Sequence, residues 1–234
     1  MAFENISERV KNGAMRLIAR TLAARRLKIL PAGLENIPAH GPVLFVARHY
    51  HHLFDGVALY ATVPRPLHIV VATDWAAKPL ARKWIEIADR VARWPVVVRS
   101  EAIGPNRSSF SKVDIMRYQR VAFRDSVQLL AEGRVLLIFP EGFPNVDPHF
   151  TPKESGVPFL PFKDGFLTIC KAAEKRIHRL IPIVPVGLRY DGNHPVTVHI
   201  AFGKPVTSNG CACRQEFVRR LEERVSWLSG ESAM

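Results

Sequence analysis

The chain predicts an α/β fold, a single domain with a mostly parallel or mixed central sheet flanked by helices and an amphipathic helix at its N-terminus. Two observations lead to this. Apolar runs of about five residues, the length of buried strands, alternate with longer stretches of helical period. The 234 residues, 47% apolar and 23% charged, are enough for one substantial core and unlike the composition of a disordered chain. No internal repeat, low-complexity tract or linker divides the chain, so residues 27–234 are expected to form one domain behind a basic helix over 1–26.

Residues 3–26 read as that helix, with Phe3, Ile6, Val10, Leu17 and Leu22 on one side and Arg9, Arg16, Arg20, Arg25 and Arg26 interleaved. Such a helix lies in a membrane interface or packs on its own domain. Leu27 to Leu30 follows as a short strand, Pro31 to Pro38 as a loop rich in turn residues, and Val43 to Ala47 as the next strand. Leu67 to Ala72 is another run of strand length. After it comes a helix on which Leu80, Trp84, Ile87, Ala88 and Val91 share a packed face, then a third buried strand from Pro95 to Arg99. Residues 100–116, with Gly104-Pro105-Asn106 and four serines, predict a loop or lid. A helix of about four turns then ends at Gly133, a natural C-cap, before the strand Val135 to Phe139. Residues 140–160 form a Pro-rich loop and Gly165 to Arg176 a helix. Ile181 to Leu188 and Val196 to Phe202 are strands, and Phe217, Leu221, Val225 and Leu228 mark a closing helix.

The net charge of +12 is concentrated rather than spread. Residues 1–30 hold seven Lys or Arg against two Glu, and residues 76–124 hold eleven against four acids, so these two segments account for the whole excess. Such concentration suits an anionic partner, lipid or nucleic acid. Neither a nucleic-acid motif nor aromatics interleaved with the basic residues is present, which leaves the lipid surface. No apolar run reaches the roughly 18 residues that span a bilayer. The opening residues, mixing Glu4 and Glu8 with Arg9 and Lys11, lack the apolar segment of a secretory signal. The expectation is a cytoplasmic protein peripheral to the membrane. Cys170, Cys211 and Cys213 are too few and too unevenly spaced for a disulfide framework or a zinc knuckle.

Three polar islands follow apolar strands. The first, Arg48-His49-Tyr50-His51-His52-Leu53-Phe54-Asp55, brings three imidazoles and a carboxylate within seven residues of each other. A histidine at a strand end with an acidic residue a turn later suits general-base chemistry: the carboxylate fixes the tautomer and the other ring nitrogen takes a proton from a hydroxyl. With no Gly-x-Ser-x-Gly elbow and no cysteine beside the cluster, direct attack by a substrate hydroxyl is simpler than a covalent enzyme intermediate. Phe139-Pro140-Glu141-Gly142 is the second island. If its strand neighbours the first, Glu141 and the backbone N–H groups near Gly142 face the histidines. The third is Arg99, placed to clamp a phosphate or carboxylate.

Together these islands resemble the glycerolipid acyltransferase family, the PlsC-like group that includes lysophosphatidate acyltransferases. That family carries Asn-His-x4-Asp after an apolar strand, an apolar strand ending in Arg, Phe-Pro-Glu-Gly-x-Arg-Ser, and an apolar segment containing Pro. Here Arg48-His49 to Asp55, Pro95 to Arg99, Phe139 to Gly142 and Ile181-Pro-Ile-Val-Pro185 stand in that order. Gly33-Leu-Glu-Asn-Ile-Pro38, Phe162-Lys163-x-Gly165 and Gly203-Lys-Pro-Val also look like the family's flanks, so the resemblance spans roughly residues 25–208.

The resemblance implies a glycerol-3-phosphate-acyltransferase-like fold and transfer of a fatty acyl group from acyl-CoA or acyl-ACP to a hydroxyl of a lysophospholipid or related lipid. It implies no cofactor and no resident metal. It also implies His49 and Asp55 as the catalytic pair, with Arg99, Glu141, Gly142 and Lys163 contacting the acceptor, and an acyl carrier protein as one source of the donor. Two departures stand out. Five residues separate His49 from Asp55, so counting back from Asp55 offers His51 or His52 as the base instead. Phe143-Pro144-Asn145 also replaces the segment that holds the family's phosphate-binding Arg, leaving Arg99 or Lys163 to compensate. Two rival readings are a metal-dependent hydrolase using His49, His51, His52 and Asp55 as ligands, and a non-catalytic basic module that binds membranes.

Overall fold

A computed structural model describes residues 6–24, 26–51, 54–74, 83, 87, 89–99, 110–145, 159–192, 196–210 and 213–230. The expectations at Phe3, His52, Leu80, Trp84, Ala88, residues 100–109 and most of the Pro-rich loop lie outside them. So do the side chains of Ile6 and Val10.

In chain order the elements are α1 (Ile6–Ala24), β1 (Leu27–Ala32), a short 3-10 turn (Leu34–Asn36), β2 (Val43–Ala47), α2 (Phe54–Thr62), β3 (Leu67–Ile69), β4 (Val71–Ala72) and β5 (Val96–Val97). They continue with α3 (Lys112–Ala131), β6 (Val135–Ile138), α4 (Gly165–Ile177), β7 (Ile183–Asp191), β8 (Val196–Phe202) and α5 (Arg214–Leu228). Six strands form the main sheet in the order β1-β8-β7-β2-β6-β3, and β4 pairs with β5 in a small second sheet. Every pairing is parallel except β7 with β8, so the sheet is mixed.

β2 lies inside the sheet with all five residues buried, as expected of a strand covered on both faces. Val43, Phe45 and Ala47 enter the core shared with α1 and α2, while Leu44 and Val46 enter the core shared with α3, α4 and α5. Because β2, β6 and β7 run parallel, their C-terminal ends lie at one edge of the sheet. This edge receives the polar islands.

Four expectations need correction. The run Leu67–Ala72 is two strands, because Val70 N–H still donates to Leu137 in the main sheet while Val71 N–H turns to Pro95. The strand expected from Pro95 to Arg99 is two half-buried residues in the small sheet. The expected packed stripe between these strands faces outward where it is described, with Ile87 and Val91 exposed. Finally, α3 starts within the expected loop, because Ser111 and Asp114 form a reciprocal capping box that the serine-rich stretch concealed.

The N-terminal helix packs on the domain through its small residues and turns its leucines outward. Ala19 and Ala23 face the core, whereas Leu17, Ile18 and Leu22 are 67%, 59% and 55% exposed. Arg16 donates to the carbonyls of Val63, Pro64 and Arg65 and Arg20 to that of Ala61, at the end of α2. A helix terminus leaves such carbonyls without intrahelical partners, which is why these cations turn inward.

α5 packs tightly on β7. A Cβ on Gly187 would stand 2.3 Å from the backbone carbonyl carbon of Leu228, so only glycine fits there. Gly187→Ala is expected to cost about 1–3 kcal/mol, measured as a lower thermal midpoint by circular dichroism. An unchanged midpoint would contradict this packing.

Candidate active site

β2 ends at Ala47, and the chain turns through His49, Tyr50 and His51 into α2, whose first turn holds Asp55. The Asp55 carboxylate is fully buried and gathers four donors. Its Oδ2 accepts from His49 Nδ1 at 2.8 Å, Tyr50 N–H at 2.7 Å and His51 N–H at 2.9 Å. Its Oδ1 accepts from the Tyr190 hydroxyl. This set meets the acceptor capacity of a carboxylate and fixes its rotamer.

His49 stacks on Phe139, with ring centroids 4.2 Å apart and planes 18° from parallel. With Nδ1 engaged by Asp55, Nε2 is the nitrogen left for a substrate. Among the described residues nothing hydrogen-bonds it, and the side chain keeps 16% of its surface accessible. His51 meets Asp55 through its backbone. Its ring stacks on Phe54, and its Nδ1 accepts from Phe54 N–H at 3.4 Å at the start of α2. His52 lies outside the described residues.

The additional residue between His49 and Asp55 is accommodated at Tyr50. Its ring stacks on Tyr190, centroids 5.0 Å apart, while its N–H serves Asp55. Tyr190 sits near the end of β7, which runs three residues beyond its expected limit and so carries the phenol to the site. Burial, with the Asp55 charge adding to it, pushes the Tyr190 phenol far above the ordinary tyrosine range, so the hydroxyl remains a donor.

The second island is bolted to the first. Arg48 Nε lies 2.7 Å from Glu141 Oε1, with both side chains essentially buried. The Arg48 guanidinium covers the Phe159 ring at 3.7 Å. Asn145 donates its backbone N–H to the His49 carbonyl at 2.9 Å, and its side-chain amide donates to Glu141 Oε2 at 3.2 Å. Glu141, expected to contact the acceptor, is therefore turned into the protein as the partner of Arg48. Gly142, at φ 79°, closes a turn in which its N–H donates to the Phe139 carbonyl, so that N–H is already used.

Arg99 reaches the same region from β5, but not as an open cation. Asp74 holds its Nε and a terminal nitrogen at 2.7–3.1 Å, another nitrogen donates to the Gly142 carbonyl at 3.0 Å, and the guanidinium lies over Phe143. Arg99 thus braces the turn at Gly142. Lys163 is exposed, with Nζ 5.7 Å from the Phe143 ring, and a Cβ on Gly142 would come 3.7 Å from it. Among the described residues no three His, Cys, Asp or Glu side chains gather in a way that could hold a metal ion, and His52, a ligand of the metal-hydrolase reading, lies outside them. Cys170 is buried beside the Glu174 carboxylate, and burial above all pushes its thiol pKa upward, the reverse of an activated nucleophile.

A family model described as Acyltransferase matches residues 28–189. No curated protein matches the chain. Among solved structures, the fold is similar to that of the 1-acyl-sn-glycerophosphate (LPA) acyltransferase PlsC from Thermotoga maritima. The two share 17% identity with a TM-score of 0.64, over 98% of this chain and 83% of that one.

Proposed function

This chain belongs to the acyltransferase family, and from that premise we propose that it moves a fatty acyl group from an acyl thioester, acyl-CoA or acyl-ACP, to a hydroxyl of a lysophospholipid or related lipid. The observation that carries this reading is the 2.8 Å pairing of His49 Nδ1 with Asp55, which orients Nε2 as the base. In the proposed step Nε2 takes the hydroxyl proton as the acceptor oxygen attacks the thioester carbonyl carbon. The tetrahedral intermediate then collapses, the C–S bond breaks, and the imidazolium returns the proton to the departing thiolate. Asp55 stabilises the imidazolium in between. Arg48, Glu141 and Asn145 hold His49 in place from behind. Lys163, exposed beside the Phe143 ring, and Arg99 are the residues proposed to meet a phosphate on the acceptor.

Tyr190 acts as a positioning residue in this scheme. Tyr190→Phe removes a hydrogen bond to a carboxylate, worth roughly 1.5–3 kcal/mol, and is expected to lower kcat about tenfold while leaving KM nearly unchanged. A raised phenol pKa means the donor stays protonated from acid through mildly alkaline pH, so the same factor should appear throughout the pH profile. A deficit confined to one limb of the profile would argue against this role.

The protein is further proposed to work at the cytoplasmic membrane face as a peripheral enzyme. No helix among the described residues is long and apolar enough to cross a membrane. The exposed Leu17, Ile18 and Leu22 of α1 are suited to an interface, while Arg16 and Arg20 reach the carbonyls at the end of α2.

An assay of the purified protein with acyl-CoA and acyl-ACP against lysophospholipids, glycerol 3-phosphate and neutral hydroxyl lipids tests the reaction. Thioester-dependent acylation of a lysophospholipid is the expected result. Thioester hydrolysis without transfer to any acceptor would refute the proposal.

A further inference from the structure

We propose that the outward face of α3 docks on an anionic bilayer, so that the membrane straddles the sheet edge bearing His49; this rests on the reading of the acceptor as a lipid. α3 leads through the turn at Gly133 directly into β6, so its C-terminus lies at the far edge of the sheet and its N-terminal half at the catalytic edge.

Val113 and Met116 on this half, and Phe123 just beyond its midpoint, are 69%, 49% and 40% exposed. Arg117, Arg120 and Arg124 are exposed among them, and all six fall within about 120° of the helix circumference at its usual period. Arg117 faces the Asp114 charge one turn before it and Arg124 pairs with its neighbour Asp125, while Arg120 forms no ion pair among the described residues. Large apolar side chains interleaved with arginines on one exposed face form the pattern of a helix lying in a lipid interface. The segment is part of 76–124, the stretch with the larger basic excess, which the catalytic scheme does not use. On the other side of the sheet α1 turns Leu17, Ile18 and Leu22 outward. Its C-terminus leads into Leu27, which pairs with Val196 beside the end of β7.

Flotation with vesicles of phosphatidylglycerol and phosphatidylcholine in equal parts tests the proposal, using Arg117→Glu/Arg120→Glu/Arg124→Glu, the milder glutamine set, and Val113→Ser/Met116→Ser/Phe123→Ser. The glutamate set should lose affinity on the order of a hundredfold and the glutamine set less, and the serine set roughly tenfold. All three should keep the wild-type melting temperature and turnover of a soluble short-chain thioester and acceptor. Vesicle binding equal to wild type in the glutamate set would overturn the proposal. So would unchanged flotation with turnover lost only when an acidic carrier protein delivers the acyl group, which would make the face a protein-docking surface. Failure of the wild type to transfer any acyl group would end the catalytic reading instead, and flotation would still decide the role of the face.

Discussion

His49→Ala should reduce acyl transfer by roughly 10²–10⁴-fold, the range supplied by a positioned general base. The ring is partly accessible and stacks on one neighbour, so its removal should leave the fold in place, with the near-ultraviolet spectrum and melting temperature close to wild type. Asp55→Asn should lower turnover within the same range, because a neutral amide does not stabilise the imidazolium. This fold should also persist. An amide oxygen can take over the three donors on Oδ2, while its nitrogen donates to the Tyr190 hydroxyl, which is able to accept. His51→Ala removes a ring that caps α2 and should cost far less activity. If His51→Ala were the inactive variant and His49→Ala retained turnover, the assignment of the base would be wrong.

The largest effect on stability is expected at Arg48. Arg48→Ala leaves the Glu141 carboxylate, which has no solvent exposure, without its cationic partner, and the loss of one member of a buried pair costs about 3–5 kcal/mol. The change also removes the guanidinium from over Phe159 and from beside the Glu222 carboxylate at 3.7 Å. Denaturant unfolding of Arg48→Ala should show a midpoint well below wild type. The double variant Arg48→Met/Glu141→Leu should recover much of the difference, since a buried pair replaced by apolar residues leaves no orphaned charge. Activity should fall in the single variant as well, because Glu141 anchors Asn145, whose N–H holds the carbonyl of His49. A small stability loss on Arg48→Ala with no recovery in the double variant would mean that the pair does not join the two islands.

Val43–Ala47 and Val196–Phe202 were legible to the residue because each is an apolar or alternating run bounded by turn residues. The run Leu67–Ala72 was not, because hydropathy does not tell which neighbour a strand pairs with, and the partner changes at Val70. The start of α3 was misplaced because four serines read as loop, although Ser111 and Asp114 carried the three-residue spacing of a cap. α1 was legible as a helix but not in the face it buries. Its leucines marked an apolar side whose destination, interface or domain, the spacing left open; close approach to the domain selects alanine, and two arginines found unpaired carbonyls at the end of α2.

At the site, the nearness of His49 to Asp55 could be read from spacing alone. Which imidazole turns toward the carboxylate could not, since that depends on Tyr50 leaving the turn to stack on Tyr190. Tyr190 lies 135 residues from Asp55, and nothing local marks it. Glu141 was recognisable as part of a polar island, but the direction of its side chain is set by Arg48, one residue before the histidine. The same holds for Arg99, whose charge is met by Asp74 across the small sheet.

The central claim is that the His49 imidazole, oriented by Asp55, activates an acceptor hydroxyl for direct attack on an acyl thioester. Mass spectrometry of protein and lipid after incubation with the thioester, with and without lysophospholipid, tests it most directly. The predicted result is acylated lipid only when acceptor is present, with no acyl group on the protein, and none of this product with His49→Ala. An acyl adduct on the protein that forms without acceptor and passes its acyl group to the lipid would contradict the claim.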